Sequence, residues 1–327
     1  MRINGRRLLI AALPLALLMA GPAGAQTDLS GTWVALNHKD GLERGNGPYA
    51  VDYTGIPMNE DARALALSHT ESLFGMIEHQ CGMWPQHYIV RAPFNLKIWN
   101  EVNPMNGATI AWKLGAWQDR GETTIWMDGR PQPSPNAPHD RQGFATGRWE
   151  GNTLVVNVTH MNGGGLRRNG APSSDQTTMT LRFLRHGDLL TLLAVIEDPI
   201  YLTEPYIQSA SFERNPDAAP SAPFGPTCIP TYEGTSGDGR VPSFLPGQNP
   251  SIDELTKLYG IPREATLGGA ETMYPEYRKK LKAAFVLPER CRMNCSPLVG
   301  NGGTSGPAVA PPPRPAPASG ATRGTAR

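Results

Sequence analysis

The sequence predicts a mainly β fold, an antiparallel meander that closes into a barrel. Three observations carry this. Short runs of alternating apolar residues recur between about 94 and 212, Gly, Asn and Asp punctuate them, and no long amphipathic helices alternate with them. Alternation with a period of two puts every second side chain on one face, the pattern of a sheet buried on one side. A doubly wound parallel sheet would need helical crossovers between its strands, and the pattern offers none.

The elements follow in order. Residues 1–25 read as a signal peptide, with Arg2, Arg6 and Arg7 ahead of an apolar run from Leu8 to Ala20 and Ala23-Gly24-Ala25 as a cleavage site. That run is 13 residues long, short of the roughly 20 that span a bilayer. A periplasmic or secreted protein is therefore expected, without a membrane span after processing. Sec export fits better than the twin-arginine route, because Arg6-Arg7-Leu8-Leu9-Ile10 is an incomplete match. The chain has 30 basic and 29 acidic residues and no basic block, so nucleic acid is not an expected partner.

The β domain is expected over 26–247. Gly31-Thr32-Trp33 opens it as a first strand. A small helical insert fits 59–79, with Asn59 as N-cap and a break near His69-Thr70. Strands then follow at Phe94/Leu96/Ile98, Ile110/Trp112/Leu114, Ile125/Met127, Leu154/Val156/Val158, Met179/Leu181/Phe183, Leu190 to Ile196, and Tyr206 to Phe212. A helical appendage is expected over 248–295. There Ser251 to Glu254 reads as a capping box, Gly260 as a stop, and Tyr274 to Phe285 as a helix with Pro275 at its first position. Residues 296–327 are Pro, Gly, Ala and Ser with almost no large apolar side chain, and predict a disordered tail. Cys81, Cys228, Cys291 and Cys295, in an exported chain, predict two disulfides. Of the three connectivities, Cys81–Cys228 with Cys291–Cys295 is favoured, since the first pair flanks the β-rich stretch and the second are near neighbours.

The chemistry centres on Asp128-Gly129-Arg130 and the proline-stiffened stretch Pro131-Gln132-Pro133-Ser134-Pro135. Asp-Gly after an alternating strand signals a tight turn, because Gly supplies positive φ. The prolines cannot join a central strand, so an extended loop follows, carrying Arg130, His139, Asp140 and Arg141. Long ordered loops are where binding groups gather. If the protein is an enzyme, its acid–base groups are Asp128, His139, Glu150 and His160. If it binds a ligand, Arg91, Trp126, Arg130 and Trp149 are the candidates. His79, Cys81 and His87 have the residue types of a zinc site, but a disulfide would remove the thiolate, so neither a metal site nor a cofactor is expected. Ser173 and Ser174 lack the Gly-x-Ser-x-Gly setting of a hydrolase nucleophile.

Several motifs in order resemble a family of uncharacterised exported bacterial proteins: DGRPQP (128–133), GRWEGNTLVVNVT (147–159), EDP (197–199) and TEPY (203–206). The mature start DLSGTW and Cys81 and Cys228 fit the same pattern, which spans roughly 28–230. The resemblance implies an antiparallel β-barrel-like domain and no particular activity. The family pattern carries His where this chain has Gln132, and Asp where it has Asn152 and Asn157. Three titratable groups are thus replaced by amides, which argues against catalysis. Gly31-x-Trp33 ahead of a meander also resembles the opening of lipocalin-like barrels. The expected function is a soluble exported protein that binds a small apolar or carbohydrate-like molecule in a lipocalin-like barrel cavity. The alternatives are a cofactor-independent lyase or hydrolase, and a cell-envelope interaction protein using its Pro-rich tail.

Overall fold

The computed structural model describes residues 27–36, 51–53, 55–70, 73, 76–80, 85–91, 95–115, 122–167, 169–218 and 243–284. The expected signal peptide, the tail and all four cysteines with their disulfides lie outside these residues, and so does the side chain of Arg91.

Among the described residues eleven strands are formed: β1 (Gly31–Ala35), β2 (Leu96–Val102), β3 (Thr109–Gly115), β4 (Thr123–Trp126), β5 (Phe144–Glu150), β6 (Thr153–Thr159), β7 (Gly164–Gly165), β8 (Pro172–Ser173), β9 (Thr178–His186), β10 (Leu189–Glu197) and β11 (Tyr206–Arg214). Nine of them close a barrel in the order β1-β11-β10-β9-β6-β5-β4-β3-β2, while β7 and β8 pair only with each other. The mainly β barrel is therefore as the alternation predicts. β5 adds a strand that the alternation does not mark, because Gly147 and Arg148 break its apolar rhythm.

The barrel is mixed rather than wholly antiparallel. β4 and β5 run parallel, with Ile125 opposite Ala145 and Trp126 opposite Thr146. The reason lies in the sequence between them. Gly129, at φ 75°, turns the chain out of β4, and Pro131, Pro133 and Pro135 then deny it the N–H groups that a returning hairpin strand must donate. The chain instead runs back over the outside of the wall and re-enters at Phe144.

Strand direction sorts the connections to two ends. One end carries tight turns, at Asn103–Ala108, Gly151-Asn152 and Gly187-Asp188. The other carries the long segments 51–70, 86–91, 160–177 and 198–205. Between the ends, burial alternates along β9, β10 and most of β11. Leu96, Leu154, Val156, Leu181, Phe183, Leu192, Ala194, Ile196, Ala210 and Phe212 point inward with 0 % of their surface exposed. A side chain lining a water-sized void would retain accessible surface, so at these positions the interior is filled. At the tight end Trp33 is equally buried. Its Nε1 donates to the Leu29 carbonyl at 3.0 Å, and the Arg185 guanidinium lies 5.4 Å from its ring centroid.

Short helices gather at the long-loop end. α1 (Glu60–Ser68) starts at Asn59, whose side chain accepts from Ala62 N and donates to the Ile200 carbonyl, tying the helix to the β10–β11 turn. It breaks at His69, as expected, and α2 (Ile77–Gln80) follows. In the C-terminal region α3 (Glu254–Tyr259), α4 (Arg263–Leu267) and α5 (Pro275–Ala284) form. The capping role expected of Ser251 belongs to Asn249. Pro250 begins a 3-10 turn one residue earlier, and the Asn249 side chain accepts from Ser251 N while donating to the Leu67 carbonyl. Gly260 closes α3 at φ 67°. The region docks on the chain ahead of α1 through Tyr53 N to the Thr266 carbonyl, and on the end of α1 through Phe244 N to the Ser68 carbonyl.

Candidate functional site

The predicted site residues fall mostly on the outside of the barrel, where the crossover 127–143 lies against β4, β5 and β6. On β5, Ala145 and Trp149 face the core and Thr146, Arg148 and Glu150 face outward; on β6, Val156 and Val158 face in and Asn157 and Thr159 face out. Trp126 is the outward neighbour of Thr146.

The crossover is anchored at its start by Asp128. The carboxylate accepts from the Arg130 backbone N–H at 3.2 Å and from Arg130 Nε and Nη2 at 2.9 and 2.6 Å. The guanidinium stacks on Trp126, its Cζ 3.4 Å from the ring centroid, a cation–π arrangement. The hydrogen bonds from Arg130 hold the Asp128 carboxyl well below the usual range, at about 2. Asp128 is therefore an anion at every physiological pH and has no proton to give.

Gln132 anchors the middle. Its Nε2 donates to Thr146 Oγ1 on β5, and its Oε1 accepts from Thr159 Oγ1 on β6, both at 2.8 Å. Thr159 Oγ1 also lies 2.7 Å from His160 Nδ1, and His160 Nε2 lies 2.9 Å from the Ser134 carbonyl. His139 closes the group. Its Nδ1 is 3.1 Å from the Met161 carbonyl, and its ring centroid is 5.0 Å from that of His160. The backbones are pinned together by Asp140 N to the His160 carbonyl and Asn162 N to the Asp140 carbonyl. Asp140 Oδ1 accepts from Gln142 N and Gly143 N and so shapes the turn into β5. His160 adopts φ 57°, and among the described residues it is the one non-glycine with positive φ. Such a backbone persists only where its surroundings hold it.

Glu150 and Trp149 are not part of this group. Glu150 lies four residues beyond Thr146, about 13 Å along the strand. It is bound by Arg182 at 3.0 Å and Arg148 at 2.6 Å, and those hydrogen bonds, Arg182's first, lower its carboxyl. It serves as an outer-wall ion-pair acceptor. Trp149 is half-buried against the core, and its buried Nε1 has no hydrogen-bond partner among the described residues. Of the amides at 132, 152 and 157, Gln132 and Asn157 flank Thr146 on the outer wall, whereas Asn152 sits in the β5–β6 turn.

A second polar group was invisible to sequence reasoning. At the long-loop end Arg167 is 1 % exposed and reaches into the barrel, where it donates to the Tyr206 hydroxyl. With its amide oxygen turned toward them, Gln208 accepts from Tyr206 and Arg167 Nε at 2.7 and 3.0 Å. Burial pulls the Arg167 guanidinium down to about 9. Elsewhere on the barrel, at the start of β4, the Thr123 Oγ1 lies 3.0 Å from Gln86 Oε1 and 2.6 Å from Gln142 Oε1. The Arg167-Arg168 pair in a Gly-rich stretch carries no motif, and no periodicity marks Arg167 as buried. Ser174, free of a hydrolase setting in the sequence, is occupied by Asp198, as described below. No group of three or more His, Cys, Asp or Glu that could hold a metal ion occurs among the described residues. Comparison with protein-family models, with curated proteins and with solved structures gives no match.

Proposed function

We propose that the chain is an exported binding protein that takes a small carbohydrate-like molecule on the outer wall of its barrel, beside the crossover 127–143. One observation carries this reading: the two faces of β4 to β6 divide the chemistry. Along its middle the inward face is buried hydrocarbon, as at Ile125, Ala145, Leu154, Val156 and Val158. The outward face presents the Arg130–Trp126 stack, with the Arg130 side chain 36 % exposed, next to the hydroxyl of Thr146 and the amide of Gln132. A flat cationic plate beside hydroxyl and amide groups suits a ring bearing hydroxyls, which needs one stacking surface and several short polar contacts. An apolar ligand in the barrel centre has less support, because the core side chains already occupy it.

In the pattern that the motifs resemble, positions 132 and 157 carry His and Asp. Amides at these two wall positions favour hydrogen-bonded recognition over proton transfer. The lyase or hydrolase alternative keeps His139 and His160 as neighbours, but Asp128 and Glu150 are committed to arginines. Export rests on the positive, apolar and small-residue order of residues 1–25. The envelope-interaction alternative rests on residues 296–327, outside the described residues.

The test is native mass spectrometry of the processed protein isolated from its own periplasm or medium, with Arg130→Ala prepared alongside. A retained sugar-like adduct on the wild type that is lost from a folded Arg130→Ala supports the proposal. An adduct held equally by both, or no adduct and no binding to an oligosaccharide panel, overturns it.

A further inference from the structure

We infer that Thr146, Gln132, Thr159 and His160 form a proton-linked relay, in which the protonation state of His160 sets whether Thr146 offers a donor or an acceptor to the outer wall. The inference does not depend on the ligand proposed above.

It follows from counting protons along the chain of contacts. The Ser134 carbonyl can only accept, so His160 Nε2, at 2.9 Å, carries a proton. Thr159 has one hydroxyl proton. With the Gln132 amide oriented as described, that proton goes to Gln132 Oε1. The 2.7 Å contact between Thr159 Oγ1 and His160 Nδ1 is then a hydrogen bond only if Nδ1 is the donor. In that arrangement both ring nitrogens carry protons, which is one of the two polarities open to the chain of contacts. Gln132 Nε2 donates to Thr146 Oγ1, which leaves the Thr146 proton free to point outward.

Removing one proton from Nδ1 reverses every link without breaking one. The Thr159 hydroxyl now donates to Nδ1. Gln132 must donate to Thr159 Oγ1, so its amide turns by half a rotation. Gln132 Oε1 then accepts the Thr146 proton, and Thr146 presents only lone pairs to the wall. The two states have equal numbers of hydrogen bonds and opposite polarity, which is what makes the relay a switch rather than a joint that fails. The site is built to hold the ring in place while this happens. His160 keeps its left-handed backbone at φ 57°, and Asp140 N and the His160 carbonyl are bonded at 3.1 Å. Pro131 and Pro133 flank Gln132, so the amide is held at a fixed point on the wall.

The titratable and charged groups around the ring are few. His139 faces it at 5.0 Å. Asp140 and Arg141 stand on the crossover, with Asp140 Oδ1 committed to two backbone amides. Asp175 lies on the turn packed against Gly163. At the far end of the relay Arg130 is neutralised by Asp128.

The test is nitrogen-detected NMR of the full chain, following the His160 ring and the Gln132 side-chain amide from pH 5 to 8.5. The expected result is one common midpoint for both. In Thr159→Val the Gln132 amide should stop following His160, and in Thr159→Ser, which keeps the hydroxyl, the coupling should persist. Gln132→Glu supplies a carboxylate that can only accept, so it should hold His160 protonated and raise its midpoint by about one to three units. A Gln132 amide that stays still while His160 titrates overturns the relay. A common midpoint that survives in Thr159→Val does so as well, as does an unshifted His160 in Gln132→Glu.

Discussion

Replacing Asp198 should remove a large share of the stability of the barrel's long-loop end. The side chain is 4 % exposed, and its carboxylate accepts five hydrogen bonds. Oδ2 takes Ser174 N at 2.6 Å and Thr177 Oγ1 at 2.9 Å; Oδ1 takes Ser174 Oγ at 2.8 Å, Ile200 N at 2.9 Å and Tyr201 N at 3.1 Å. Asp198→Ala strands three backbone amides, since the two hydroxyls can turn elsewhere. A buried donor left without a partner costs about 1–3 kcal/mol. The Ser174 amide is buried and the other two are partly so, which gives about 3–4 kcal/mol against a whole-domain stability of about 5–15. Asp198→Asn keeps the Oδ1 contacts but sets an amide donor against Ser174 N, so it should lose about 2 kcal/mol. The acid limb is affected too. Burial works to raise the carboxyl, and the hydrogen bonds from Ser174, Ile200 and Thr177 outweigh it, so the folded pKa is lowered. A lowered carboxyl stabilises the fold above its unfolded pKa and loses that contribution as pH falls through the folded one. Urea unfolding at neutral pH and through the acid limb measures both effects. A loss below about 1 kcal/mol in Asp198→Ala, or an Asn variant weaker than the Ala variant, would refute this reasoning.

Three further expectations follow from the wall. Gly147→Ala should cost about 1–3 kcal/mol by overpacking, because a Cβ there would meet Met127 Sδ at 2.6 Å and Ile125 Cγ2 at 2.9 Å; Met127→Ala in the same chain should restore part of the melting temperature. In Arg130→Ala the Asp128 carboxyl should return from about 2 toward the ordinary range, read by carbon-detected NMR; its salt-bridge contribution is present above the unfolded pKa and disappears as pH falls through the folded value. Gln132→Leu should loosen the crossover from β5 and β6, seen as faster proteolytic cleavage between residues 128 and 139 with an unchanged barrel circular dichroism spectrum.

The barrel was legible because a filled interior demands strict alternation, and β9 and β10 keep it over nine residues each. β5 was not, since Gly147 leaves room for Met127 instead of adding its own apolar group. The helix around Asn59 could be read from its cap, whose bond to Ala62 N is local. At Ser251 the same kind of reading chose the wrong cap, because Asn249 is also held by the Leu67 carbonyl from a distant part of the chain. The site divides along the same line. His139 and His160 were recognisable as candidates by residue type, but their contact depends on the crossover returning along the outer wall. Glu150 carried the same residue-type signal and is drawn away by Arg182, which stands on β9 beyond the intervening β6. Arg167 meets Tyr206 and Gln208 across 39 and 41 positions of sequence, and nothing local to Arg167 announces that.

The prolines after Asp128 account for both the topology and the location of the site. A hairpin at Asp128-Gly129 would have placed residues 131–135 in the ladder beside β4, with alternate side chains turned into the core. Denied those N–H groups, the segment crosses the outside, and β5 pairs with β4 in parallel. The crossover then needs polar anchors on the wall, and it finds them in Trp126, Thr146 and Thr159, all outward-facing positions of regular strands. Those strands are rigid because their other faces are packed into the core at Ile125, Ala145 and Val158, each 1 % exposed. Polar groups that must be held to a few tenths of an ångström for recognition are better placed on such a wall than on a free loop. The same packing that leaves no accessible surface at the core positions is thus what makes the outer wall a suitable surface for binding.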